Sequence, residues 1–127
     1  MKKILIIEDE KILVEMYKSK LEANNFEVFS AFSSEEGIQI LKKEKPDLVI
    51  LDILLPKENG ITFLEKIEKI KIISDIRIVV FSNYDDPETR KKALKLGAED
   101  YLIKTQFTPR EFLEKVKEYF RIKPKVK

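Results

Sequence analysis

The chain has 127 residues, of which 43% are hydrophobic and 38% are charged. This length fits one domain with a buried core. The 25 basic and 23 acidic side chains are interleaved and leave a net charge of +2, which excludes the concentrated basic stripe of most nucleic-acid-binding proteins. Cysteine and histidine are absent, so disulfides, thiolate catalysis and histidine-based triads or metal sites are excluded. Any chemistry must use carboxylates, hydroxyls, amines or a hard cation.

The sequence carries no signal for membrane insertion. No apolar stretch approaches the roughly 20 residues that a helix needs to cross a bilayer. The apolar run near the N-terminus is short and is followed directly by acidic residues, unlike a signal peptide. We therefore expect a cytoplasmic protein with no membrane partner and no direct nucleic-acid partner.

Five short apolar segments predict β-strands. They are rich in isoleucine and valine and lack strict alternation, which is typical of strands buried on both faces. In chain order they comprise residues 4–7, 28–32, 48–51, 76–81 and 101–103.

Between and after these strands, apolar residues recur at helical spacing and predict five helices whose apolar faces pack on the core. Capping signals support the assignment: Ser33 with Glu36 and Thr108 with Glu111 form capping boxes, and Asp86 precedes a proline at a helix start. The predicted core-facing residues are, in chain order, Leu13, Met16, Tyr17, Leu21, Ile38, Leu41, Phe63, Leu64, Ile67, Ile70, Ala93, Leu94, Leu96, Phe112, Leu113, Val116 and Phe120.

The regular alternation of strand and helix predicts an α/β fold. Right-handed crossovers then give a doubly wound, five-stranded parallel sheet of the flavodoxin-like type, for which the common strand order is 2-1-3-4-5. This order places the first and third strands side by side at the topological switch point, where ligands bind. We expect one domain over residues 1–121 and a basic C-terminal tail over residues 122–127.

Polar residues follow four of the five predicted strands. Glu8 and Asp9 follow the first strand, Asp52 the third, Ser82 the fourth and Lys104 the fifth. In a parallel sheet these ends meet at one edge. Clustered carboxylates repel one another unless they are protonated or hold a cation, and oxygen ligands favour a hard ion such as Mg²⁺. The pattern predicts a site for phosphate and magnesium.

With these residues in place, the sequence resembles the receiver domain of two-component response regulators, of the chemotaxis-regulator type, over residues 3–120. The resemblance rests on an acidic pair after the first strand, an aspartate followed by proline and glycine at fixed spacing, a hydroxyl residue, and an aromatic residue three before a lysine. The matching residues are Glu8, Asp9, Asp52, Pro56, Gly60, Ser82, Tyr101 and Lys104, the last two within the typical receiver stretch 97–104.

This resemblance implies a phosphorylation site. Asp52 would take a phosphoryl group from a histidine kinase or a histidine phosphotransfer protein. Asp9 and Asp52 would bind Mg²⁺ directly, Glu8 would act through a water, and the backbone carbonyl of Leu54 would complete the metal site.

The resemblance also implies a switch. Ser82 and Lys104 would hold the phosphoryl group, and Tyr101 would move between exposed and buried positions as Ser82 shifts. The face formed by the fourth helix, fifth strand and fifth helix would then bind an unknown downstream protein. Such a protein phosphorylates and dephosphorylates itself and is not a dedicated enzyme.

Three positions leave questions open. The family often has proline after the lysine, in a cis peptide; here Thr105 follows Lys104, and the bond is either trans or a strained cis. Asn83 follows Ser82 where small residues are common, and would narrow access to Asp52. Tyr101 is either the switch residue or a plain core aromatic.

The same residues bear on three alternative functions. An aspartate-nucleophile phosphatase needs a second acid at position 54, which holds leucine. A flavodoxin-type cofactor carrier would place phosphate against Glu8 and Asp9, which repel it. A receiver-like interaction module that is never phosphorylated remains open. The chain is either a single-domain regulator or phosphorelay intermediate, or a fragment of a longer protein.

Overall fold

Strands and helices alternate along the chain in the computed structural model, which describes residues 1–70 and 76–121. The predicted tail, residues 122–127, lies outside the described residues. The strands are Lys2–Ile7 (β1), Phe26–Ala31 (β2), Leu48–Leu51 (β3), Arg77–Ser82 (β4) and Asp100–Ile103 (β5). The helices are Lys11–Glu22 (α1), Ser34–Glu44 (α2), Gly60–Ile70 (α3), Pro87–Lys95 (α4) and Pro109–Arg121 (α5), and a single 3₁₀ turn, Lys104–Gln106, follows β5.

All five strands are parallel and form one sheet in the order β2-β1-β3-β4-β5. This confirms the predicted strand order and places β1 beside β3. The observed bounds differ from the predicted ones by at most two residues at either end. They differ because pairing includes polar residues such as Lys2 and Ser82, which an apolar pattern leaves out.

Side chains cap the helices as the sequence predicts. Ser33 Oγ accepts the N–H of Glu36 at 3.2 Å. Thr108 and Glu111 cap reciprocally, with each side chain accepting the other's backbone N–H at 3.1 and 2.9 Å. The carboxylate of Asp86 caps α4. These bonds satisfy N–H groups that have no partner within the helix.

The sheet separates two apolar layers. Leu5 and Ile7 of β1 face the layer that contains α2, α3 and α4, whereas Ile4 and Ile6 face the layer that contains α1 and α5. Successive strand residues point to opposite faces, so a strand covered on both sides needs an unbroken apolar run.

Two of the predicted core residues are exposed. Met16 is 38% exposed and Leu94 is 42% exposed, so their assignment to the core was wrong. Helix α1 buries Val14, Tyr17 and Leu21 at i, i+3 and i+7 spacing, which turns Met16 towards solvent. Among the described helices, none combines the length and apolar composition that a membrane span requires.

A buried ion pair lies at the start of β4. The guanidinium of Arg77 donates to both carboxylate oxygens of Glu99, at 2.9 and 2.5 Å, and also to the backbone carbonyl of Tyr119. The side chains of Arg77 and Glu99 are only 9% and 8% exposed. The Tyr119 hydroxyl donates to Asp100 at 2.8 Å. The pair therefore ties β4 to the segment that enters β5 and to α5.

Candidate functional site

Three carboxylates meet where β1 and β3 end. Ile7 is paired with Leu51, and the N–H of Asp52 donates to the Ile7 carbonyl at 2.9 Å. One carboxylate oxygen from each of Glu8, Asp9 and Asp52 lies within 4.8 Å of the others. Glu8 and Asp52 are buried, whereas Asp9 is exposed.

Lys104 places its ammonium between the two buried acids. Its Nζ donates to Asp52 Oδ2 at 2.8 Å and to Glu8 Oε1. Burial raises the pKa of Glu8 to about 7, although the hydrogen bond from Lys104 opposes this. Burial alone would lower the pKa of Lys104, but its hydrogen bonds to Asp52 and Glu8 outweigh that effect and raise the pKa. The ammonium is therefore charged, and one positive charge faces three acids.

Backbone amides orient the two buried acids. The N–H of Leu54 donates to Asp52 Oδ1 at 3.1 Å, and the N–H of Glu10 donates to Glu8 Oε2 at 2.9 Å. Each carboxylate is thus held by an amide on one oxygen and by Lys104 on the other. The turns after β1 and β3 fix the direction of both side chains.

Gly60 lies against the backbone of the central aspartate. A Cβ at this position would stand 2.5 Å from the Asp52 carbonyl oxygen and 2.9 Å from the Cα of Ile53. The Gly60 N–H also donates to the Ile53 carbonyl at 2.8 Å. The first turn of α3 can approach the end of β3 only because position 60 has no side chain.

Gly60→Ala should therefore destabilise the domain by about 1–3 kcal/mol, because backbone atoms must move to admit the methyl group. Gly37→Ala is the matched control: its Cβ would meet mainly the end of the Ile7 side chain, at 2.6 Å. Ile7 is fully buried and its end must repack, but the nearest atoms belong to side chains rather than to the backbone, and α2 gains helix propensity. Urea unfolding of both variants measures the difference; an equal loss would show that the contact with Asp52 is not the cause.

Ser82 and Tyr101 are connected through Tyr84. Ser82 is fully buried, and its Oγ accepts the N–H of Tyr84 at 3.2 Å. The Tyr101 hydroxyl donates to the Tyr84 carbonyl at 2.5 Å, and the Arg90 guanidinium carbon lies 5.1 Å from the centre of the Tyr101 ring. Burial raises the pKa of Tyr101 to about 12. The structure thus places Tyr101 in a buried position, bonded to the loop that follows Ser82.

The peptide between Lys104 and Thr105 is trans, as are all peptides of the described residues. Its N–H donates to the side-chain oxygen of Asn83 at 3.1 Å. From the sequence, Asn83 was predicted only to narrow access to Asp52. The signal that could have suggested this bond is the threonine at position 105, because threonine, unlike proline, has a backbone N–H that can donate a hydrogen bond.

The structure therefore brings Glu8, Asp9, Asp52 and Lys104 together, as the sequence predicts, and joins Ser82 to Tyr101 through a neighbouring loop. These residues stand at the topological switch point of a doubly wound sheet, where such folds bind their ligands.

Comparison with known proteins identifies the family. The sequence model described as "Response regulator receiver domain" matches residues 4–117, and the chain belongs to this family of two-component response regulators. Phosphorylation and binding of Mg²⁺ at an acidic pocket are typical of the family. The resemblance inferred from the sequence is thereby confirmed.

Individual relatives agree with this assignment. The chain is 35% identical to the alkaline phosphatase synthesis transcriptional regulatory protein PhoP of Bacillus subtilis, over 94% of this chain and 49% of that protein. It is 32% identical to the phosphate regulon transcriptional regulatory protein PhoB of Escherichia coli, over 94% and 52% of the two chains. The chain thus spans about half the length of these curated relatives.

Among solved structures, a CheY-like receiver domain protein from Methanospirillum hungatei superposes with a TM-score of 0.87 at 31% identity, covering 95% of this chain and 94% of that one. The BeF3-activated N-terminal receiver domain of Klebsiella pneumoniae RstA superposes with a TM-score of 0.81 at 26% identity, covering 95% and 100%.

Proposed function

We propose that this receiver accepts a phosphoryl group on Asp52 from a phosphohistidine of a histidine kinase or phosphotransfer protein. The observation that carries the proposal is the setting of the Asp52 carboxylate. It is buried, it is fixed by Lys104 at 2.8 Å and by the Leu54 amide at 3.1 Å, and it stands beside the acids Glu8 and Asp9.

The transfer exchanges one bond to phosphorus for another. An oxygen of Asp52 forms a bond to phosphorus while the P–N bond of the donor breaks, and the released electron pair stays on the donor imidazole, which takes up a proton. Lys104 would balance charge on the phosphoryl oxygens, and the Ser82 hydroxyl would donate to one of them. Catalysis in such a site comes mainly from positioning and charge neutralisation.

The residues present suit Mg²⁺. Three acids against one ammonium leave an excess of negative charge, and every candidate ligand is an oxygen, which a hard cation prefers. Asp9 and Asp52 would bind the ion directly, Glu8 through a water, and Leu54 through its backbone carbonyl. Bound there, the ion would neutralise charge on the phosphoryl oxygens.

Asp9→Ala should weaken Mg²⁺ binding by about tenfold or more, and Glu8→Gln should weaken it less. The reason is that Asp9, an exposed member of the acidic cluster, would bind the ion directly, whereas Glu8 would act only through a water. Calorimetric titration with MgCl₂ measures both. Equal losses, or a larger loss in Glu8→Gln, would contradict the assigned roles.

The phosphorylated domain would act as a switch. A phosphoryl group adds nearly two negative charges at neutral pH, and drawing Ser82 towards it would pull on the Tyr84 amide. Because the Tyr84 carbonyl binds the Tyr101 hydroxyl, the shift would reach the face formed by α4, β5 and α5. A change in preference of a few kcal/mol suffices to exchange the major and minor states of such a face.

The partner of that face would be a protein, in the cytoplasm where the phosphodonor acts. The curated relatives are named as transcriptional regulatory proteins and are about twice as long as this chain. We infer that the output element is a separate domain or protein and that the receiver controls it by contact. The role is that of a self-dephosphorylating switch rather than of a dedicated enzyme.

Incubation with acetyl phosphate, with and without MgCl₂, tests the proposal. We expect the intact mass to increase by one phosphoryl group only when Mg²⁺ is present, and peptide mapping to place it on Asp52. A chain that takes up nothing while binding Mg²⁺ normally would instead be an interaction module. A label on another residue would refute the assignment of the acceptor.

A further inference from the structure

A side-chain hydrogen bond joins the two loops that carry Ser82 and Lys104. Oδ1 of Asn83 accepts the N–H of Thr105 at 3.1 Å. The last paired residues of β4 and β5 are Ser82 and Ile103. The bond between Asn83 and Thr105 therefore lies just after the last paired residues of β4 and β5 and links the two strands beyond the end of the sheet.

This bond holds the backbone of Lys104 from its C-terminal side. On its N-terminal side, Ile103 is held by pairing with β4. On its C-terminal side, Thr105 is held by Asn83, and the Lys104 carbonyl accepts the N–H of Phe107 at 3.2 Å in the 3₁₀ turn. The Cα of Lys104 thus has a fixed position between two anchored neighbours.

The position of that Cα decides where the ammonium can reach. A lysine side chain has four flexible carbons, and in this site it spans from the sheet edge to Asp52 Oδ2 at 2.8 Å. Because the Lys104 side chain is only 8% exposed, it has little room to adjust, and we expect a shift of the turn to displace the ammonium from Asp52. Asn83 and Thr105 themselves are exposed, so they influence the chemistry only through the backbone that they connect.

We propose that Asn83 is a positioning residue for Lys104: its bond to the Thr105 amide holds the ammonium at the distance needed to balance charge on the phosphoryl group. The inference rests on the proposed phosphorylation of Asp52. It depends on a residue with an N–H at position 105, which threonine supplies and proline would not.

A double-mutant cycle tests this coupling. Asn83→Ala removes the acceptor, Thr105→Pro removes the donor, and Thr105→Ser is the matched control that keeps it. The rate of Asp52 phosphorylation by acetyl phosphate is measured at saturating MgCl₂. We expect Asn83→Ala to slow phosphorylation by about two- to tenfold, the effect of losing one hydrogen bond. Thr105→Pro also restricts the backbone of Lys104, so it serves only as the background without the donor. We expect Thr105→Ser to match the wild type.

The combined variant separates coupling from general damage. If the bond is the cause, Asn83→Ala has no further effect once Thr105→Pro is present, because contacts in one pair are not additive. The affinity for Mg²⁺ should change less than the rate does, since Lys104 contacts Asp52 and Glu8 but is not itself a proposed ligand. Independent, multiplying effects of the two substitutions, a wild-type rate in Asn83→Ala, or a slow Thr105→Ser would overturn the inference.

A second measurement does not depend on phosphorylation. The ¹⁵N signal of the Lys104 ammonium reports its hydrogen bond to Asp52, and we expect it to shift in Asn83→Ala but not in Thr105→Ser. An unchanged signal in Asn83→Ala would refute the positioning role. Failure of the wild type to accept a phosphoryl group, with the Lys104 signal shifting as expected, would refute the proposed function and leave the positioning of Lys104 supported.

Discussion

Asp52→Asn should abolish stable phosphoryl uptake from acetyl phosphate, while the domain remains folded. The amide cannot replace the carboxylate as the nucleophile, but it has nearly the same shape, and its one oxygen can still accept the bond from either Lys104 or the Leu54 amide, though not both, because its NH₂ group only donates. Intact-mass analysis measures the uptake. Asp85→Asn, the same change at an exposed aspartate of the β4–α4 loop, is the control and should be labelled normally. Uptake that persists in Asp52→Asn would show that another residue is the acceptor.

Asp52→Asn also tests how charge repulsion within the site affects stability. In the wild type, one ammonium faces two buried acids; in Asp52→Asn, it faces only Glu8. Without Mg²⁺, we therefore expect the free energy of unfolding to stay the same or to rise by about 1 kcal/mol, because repulsion between carboxylates is removed. A fall of about 3 kcal/mol or more would instead indicate that the charged bond between Asp52 and Lys104 is a main support of the fold.

Arg77→Met should produce the largest loss of stability, about 3–5 kcal/mol, because it leaves the buried carboxylate of Glu99 without its guanidinium partner. The substitution also removes the donor to the Tyr119 carbonyl and the cation that lies 5.7 Å from the centre of the Tyr119 ring. Urea unfolding followed by circular dichroism measures the change.

Two further variants establish the cause. Arg77→Met combined with Glu99→Leu should recover much of the loss, since a buried ion pair can be replaced by apolar groups at little cost. Lys66→Met breaks the pair with Glu58, which has a similar separation of 3.0 Å but side chains that are 45% and 29% exposed. This exposed pair should be worth less than about 1 kcal/mol. Similar losses in Lys66→Met and Arg77→Met would contradict the role given to burial.

The fold could be predicted because its strands carry a simple signal. A strand covered on both faces needs a continuous apolar run, and β3, with four fully apolar residues, was located without error. The ends of the other strands were less certain, because residues such as Lys2 and Ser82 pair in the sheet while being polar. Helical spacing predicted α1 and the burial of Tyr17 and Leu21, but it assigned Met16 to the core and left out Val14.

The location of the site was also predictable, since a parallel sheet brings the residues that follow its strands to one edge. Glu8, Asp9, Asp52 and Lys104 needed only the correct strand order to come together. The partners of individual atoms could not be predicted. That one ammonium bridges two acids depends on how the turn after β5 directs the Lys104 side chain.

Contacts between loops could not be predicted from the sequence for the same reason. The bond between Asn83 and Thr105 joins two turns that are 22 positions apart, and nothing in the local pattern of either turn specifies the other. The trans peptide after Lys104 was likewise left open, because both isomers of that bond were compatible with the pattern.

The ammonium of Lys104 has a consequence for how the domain is assembled. Because this internal counter-ion already lies between Glu8 and Asp52, the acids can approach one another during folding before any metal ion is captured. We therefore expect folding not to depend on the metal, in contrast to small zinc domains that unfold when a chelator removes their ion. We expect the domain to keep its circular dichroism spectrum in EDTA and to be ready for magnesium whenever it is supplied.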